Sequence, residues 1–99
     1  MLNIKQEFLG LQNSIEYLPK KQVLDIEKAF AFADASHHGQ LRKSGEPYIV
    51  HPLAAAQTLA ELRLDSETLQ ATLLHDVIED CGVTVEQLSN EFSPQVAKL

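Results

Sequence analysis

The 99-residue chain has a single cysteine, Cys81, so it can form neither an intramolecular disulfide nor a cluster of thiolate ligands around zinc. It has no apolar run near the ~20 residues that a membrane span needs. Lys5, Gln6 and Glu7 interrupt the first apolar stretch, which is unlike a secretory leader. A soluble, cytoplasmic protein without a membrane partner is the expectation. Positive charge is scarce in the second half. Residues 1–50 carry six Lys or Arg against six Asp or Glu, whereas residues 51–99 carry two against eight, which is the whole of the net charge of −6. A DNA-backbone binder needs clustered cations, so no DNA partner is expected; an acidic half suits cation binding.

No stretch alternates with the period of a strand, while helical periodicity recurs throughout. Ile4, Phe8, Leu11 and Ile15 fall at helical spacing before Pro19. Pro19 then fits the first turn of a long helix carrying Val23, Ile26, Ala29, Phe30 and Ala33 and running to Gly39. Leu41 to Val50, with Ser44, Gly45 and Pro47, reads as a loop, and a third helix starts around His51 and Pro52. Asp65 or Ser66 caps a fourth, expected to run unbroken through Asp80 to Gly82; Thr84 caps a short fifth, and Ser93-Pro94 opens another. The expected fold is an all-α bundle of five or six helices. Val96, Ala97 and Leu99 close the chain as apolar residues without an evident partner, so the bundle is expected to be C-terminally incomplete and to self-associate there.

The chemistry concentrates in the fourth helix. Wound at 3.6 residues per turn, it groups Leu69, Ala71, Leu73, Leu74, Val77 and Ile78 on one arc and Thr72, His75, Asp76 and Glu79 on the other, with Asp80 at the edge. Any surface helix has a polar face, but this one lacks the lysines and arginines that would pair its acids. Acids in the last turns of a helix also oppose the negative end of its dipole, a conflict that a bound cation removes. His75 and Asp76 point about 100° apart, so a shared ion must sit beside a neighbouring element, and the start of the His51 helix can supply one. His51, His75 and Asp76 are thus candidate ligands for manganese, iron or zinc, with Glu79 and Asp80 near enough to handle protons. His37 and His38 are expected to be structural, at a helix C-terminus. Phe30, Phe32 and Tyr48 are expected in the core, and Cys81 as a small packed residue.

Two blocks carry a family resemblance: Arg42-Lys43-Ser44-Gly45-Glu46-Pro47-Tyr48-Ile49-Val50-His51-Pro52 and Leu73-Leu74-His75-Asp76-Val77-Ile78-Glu79-Asp80. Together they resemble the N-terminal HD-type hydrolase domain of the RelA/SpoT family, over nearly the whole chain. The resemblance implies an all-helical, manganese-dependent bacterial domain that removes the 3′-pyrophosphate from the guanine alarmones (p)ppGpp, giving GDP or GTP and pyrophosphate. Carried over, it makes His51, His75 and Asp76 metal ligands and Glu79 and Asp80 the acids acting on water. Arg42, Lys43 and Ser44 match the loop that contacts the guanine nucleotide. Synthetase-only members lose the His-Asp pair, so the intact set points to a SpoT-like or bifunctional member. The family's further aspartate ligand lies downstream of Leu99, so residues 1–99 are expected to form the N-terminal portion of one domain, weakly active alone. The alternatives are an HD-type phosphohydrolase of another nucleotide, and a non-catalytic regulatory or interaction module.

Overall fold

The computed structural model describes residues 4–41, 45 and 47–98, apart from the side chains of residues 79, 80 and 98. Several helix starts follow local capping chemistry. α1 (Ile4–Ser14) buries Leu11, and Ile15 is buried in the turn that follows. Pro19 stands at the N-cap of α2 (Lys20–Ser36), with φ −56°, and its carbonyl accepts from Val23 N at 3.0 Å. α2 stops three residues short of Gly39 because His37 takes the C-cap, its N–H bonded to the Ala33 carbonyl at 2.9 Å. α3 spans Val50–Glu61 with Pro52 in its first turn.

α4 (Ser66–Leu74) begins at Asp65, whose carboxylate accepts from the Thr68 N–H at 3.2 Å and the Thr68 hydroxyl at 2.7 Å. The Thr68 hydroxyl bond above all holds the Asp65 carboxyl below the usual carboxylate range. A carboxyl depressed by folding stabilises the fold fully above its unfolded pKa, near 4, and loses that contribution as pH falls through the folded value. Asp65→Ala should therefore cost about 1 kcal/mol in urea denaturation at pH 7. Its deficit against the parent should shrink below about pH 4.

The expected single helix through Asp80 is broken. α4 ends at Leu74, His75 and Asp76 form a turn, and a separate α5 covers Val77–Cys81 before Gly82 caps it at φ 71°. The described residues therefore hold seven helical segments, with α6 (Val85–Glu91) and α7 (Pro94–Lys98) completing the series. At the break the bonding tightens to His75 N–H onto the Thr72 carbonyl, 3.5 Å. Leu74 and Val77, on either side of the turn, are both buried. α6 carries the expected cap as a reciprocal pair, Thr84 N–H to Gln87 Oε1 at 3.0 Å and Gln87 N–H to Thr84 Oγ1 at 3.1 Å.

α4 is central, packing on α2, α3 and α7, while α1 lies on α3 and α7 on α6. Leu69, Leu73, Leu74 and Val77 join Leu11, Ile15, Ile26 and Leu53 in one buried cluster, and Phe8 stacks on Phe30 at 4.1 Å between ring centroids. Val96, expected to lack a partner, is 3% exposed within that cluster, and Ala97 packs against it. Leu99 lies outside the described residues. Among the described residues no strand forms beyond an isolated bridge between Leu41 and Pro47, and no helix is long and apolar enough to cross a membrane.

Candidate metal centre

Two elements frame one cavity. The loop after α2 folds back on itself: Gln40 N–H bonds to the His37 carbonyl at 2.9 Å, Tyr48 N–H to the Gln40 carbonyl at 3.0 Å, and Leu41 bridges Pro47. The loop then feeds into α3, where His51 N–H bonds to the Tyr48 carbonyl at 3.1 Å. His51, Pro52 and Ala55 of α3 form one wall of a cavity of about 340 Å³. Thr68, Ala71 and Thr72 of α4, with His75 and Asp76 of the break, form the other. The side walls are apolar or internally satisfied, since Thr68 donates to Asp65 and the Thr72 hydroxyl to the Thr68 carbonyl.

The imidazoles and the carboxylate sit at different depths. His75 has 76% of its side chain exposed and Asp76 only 16%, with His75 Nε2 3.9 Å from Asp76 Oδ1. Asp76 Oδ2 accepts a hydrogen bond from the Tyr48 hydroxyl at 3.0 Å. Asp76 follows the C-cap of α4 and stands at the N-cap of α5, between the two helix ends.

The cavity thus brings His51, His75 and Asp76 to one place. Among the described residues, however, no three His, Cys, Asp or Glu side chains stand close enough together to hold an ion. Glu79 and Asp80 lie on α5, within a turn of Asp76, and their side chains are outside the described set. Arg42, Lys43 and Ser44 also lie outside the described residues. Leu41 and Pro47, which flank their loop, are described and paired. Tyr48, expected in the core, instead reaches the site; its place three residues before His51 was the available signal. The threonines and alanines of the cavity wall carried none. His37 is buried at the α2 C-cap, as a structural role requires, and Cys81, half-buried at the end of α5, has its sulfur 3.3 Å from His37 Nδ1.

The family model described as HD domain matches residues 29–99. Over 84 residues the chain is 56% identical to the guanosine-3′,5′-bis(diphosphate) 3′-pyrophosphohydrolase of Vibrio cholerae, covering 85% of this chain and 12% of that protein. It is 52% identical over 84 residues to a probable GTP pyrophosphokinase of Mycobacterium leprae, covering 85% and 11%. It is 51% identical over 83 residues to the bifunctional (p)ppGpp synthase/hydrolase SpoT of Escherichia coli, covering 84% and 12%. The chain therefore spans about an eighth of the length of the curated relatives it matches. With His75-Asp76 at the cavity and the match running from α2 through α7, the chain belongs to the HD domain family, and its similarity within that family is to enzymes of the RelA/SpoT group.

Proposed function

We propose that this chain is the N-terminal portion of a metal-dependent hydrolase domain that removes the 3′-pyrophosphate from (p)ppGpp. The observation that carries this reading is the meeting of His51, from the start of α3, with His75 and Asp76, from the α4–α5 break, around one cavity. Two imidazoles and a carboxylate are a donor set that suits a divalent ion, and manganese is the ion proposed. As placed, no three such side chains among the described residues stand close enough together to hold an ion, so binding needs the exposed His75 to turn toward the recessed Asp76 carboxylate.

Bound there, the ion would lower the pKa of a water molecule and polarise a phosphoryl oxygen. Glu79 and Asp80 are proposed to take the proton from the attacking water and return one to the leaving ribose 3′ oxygen as pyrophosphate departs. Arg42, Lys43 and Ser44 are proposed to hold the nucleotide. Their loop springs from the Leu41–Pro47 bridge, four residues before His51. The relatives' names include a synthetase as well as hydrolases, and the retained His51, His75, Asp76, Glu79 and Asp80 favour hydrolysis.

The test is pyrophosphate release from ppGpp with manganese, by the 99-residue chain and by an extension of it to the relatives' length. The expected result is manganese-dependent release that is absent with GTP and abolished by His75→Ala. Equal turnover of nucleotides lacking a 3′-pyrophosphate would replace the alarmone by a broader substrate class. Manganese binding without turnover by either chain would leave a non-catalytic module.

A further inference from the structure

Asp76 occupies the N-cap of α5, where an aspartate ordinarily turns its carboxylate back onto a backbone N–H of the first turn. It makes no such bond. Instead Oδ2 accepts the Tyr48 hydroxyl at 3.0 Å, and Oδ1 faces His75. The Tyr48 ring is itself fixed. It stacks on His37, 4.7 Å between centroids and 22° from parallel, and lies edge-on to His51 at 6.5 Å. His37 is 3% exposed, and its Nδ1 lies 3.0 Å from Gln40 Oε1 and 3.3 Å from Cys81 Sγ. These contacts tie the ring stack to the end of α2 and the end of α5 together. Its Nε2 is buried without a hydrogen-bond partner, a cost that an apolar ring in the same place would avoid.

We propose that Tyr48 is a positioning residue of the site. Backed by His37, its hydroxyl holds the Asp76 carboxylate toward the cavity and away from the cap of α5. The proposal rests on Asp76 being a metal ligand. It adds that a residue of the loop, and not of the helix bearing the ligand, sets that ligand's direction. Groups that hydrogen-bond to metal-ligating carboxylates typically change metal affinity about 10–100-fold when removed. Tyr48→Phe is the informative variant, because it keeps the ring and its stack and deletes only the hydroxyl.

Two readouts on the 99-residue chain separate this proposal from the ligand reading beneath it. In metal-free protein, the side-chain carboxyl carbon of Asp76, assigned by carbon-13 NMR through its loss in Asp76→Asn, should shift in Tyr48→Phe. An unmoved resonance overturns the positioning role whatever the metal does. In manganese titrations followed by electron paramagnetic resonance, Tyr48→Phe should bind about tenfold or more weakly, with an unchanged helical circular dichroism spectrum. Affinity equal to the parent's in Tyr48→Phe, where Asp76→Asn has lost it, overturns the proposal and leaves Asp76 a ligand. Parental affinity in Asp76→Asn removes the ligand assignment and, with it, the proposal.

Discussion

Glu79→Gln and Asp80→Asn should each lower ppGpp turnover by about 10²–10⁴-fold, the usual cost of losing a general acid or base. The effect should appear in kcat with manganese content matched to the parent's, because these residues are assigned to the attacking water and the leaving oxygen and not to the ion. His75→Ala should instead lose manganese and turnover together. The two classes of variant are separated by measuring bound metal beside pyrophosphate release. Turnover in Glu79→Gln and Asp80→Asn equal to the parent's, at equal occupancy, would remove both acids from the mechanism. The placement of α5 directly after Asp76 is what makes the division expected: both acids share a five-residue helix whose first flank is the recessed carboxylate.

The second large effect is on stability. Leu73→Ala should cost about 2–5 kcal/mol, since Leu73 has no exposed surface and the central α4 cannot collapse into the space without moving α2 or α3. For a domain of this size each kcal/mol lowers Tm by about 4–8 °C. Leu11→Ala, equally buried but on α1 against α3, should cost a comparable amount. The pair differs at the site. Leu73 lies two residues before His75, so its loss should also weaken manganese binding below Tm, while Leu11→Ala should leave that affinity near the parent's. Calorimetric melting with and without manganese checks both halves. Equal metal-linked stabilisation in the two variants would show that the packing of α4 does not set the geometry of the break.

What could be read from the sequence was what neighbours in the chain decide. Asp65, Thr84 and Ser93 act on N–H groups three residues away, so their helix starts follow from residue type alone. The family blocks named the cavity's imidazoles and its carboxylate for the same reason: residue type and spacing carried them. The break at His75-Asp76 was not legible, because the apolar period from Leu69 to Ile78 runs through it without a flaw. It involves contacts made at a distance, notably the Tyr48 hydroxyl on Asp76 across 28 positions and the burial of Val77 against the core. Residue type was equally silent about His37. Its position before Gly39 suggested a helix end, while the stack beneath Tyr48 depends on the loop folding back over it.

The turn between α4 and α5 is pinned on both sides. Leu74 and Val77 are each sunk in the core, and two residues bridge them. Their number matters independently of their identity. One extra residue would rotate α5 by about 100° relative to α4, and one fewer would rotate it the other way, so Val77 would leave the core and face water. Substitution at His75 or Asp76 changes chemistry and leaves the scaffold standing, whereas insertion or deletion there dismantles the scaffold first. The stretch from Leu74 to Val77 therefore behaves as a ruler. In any chain built on this plan its length should vary far less than the composition of the surface around it.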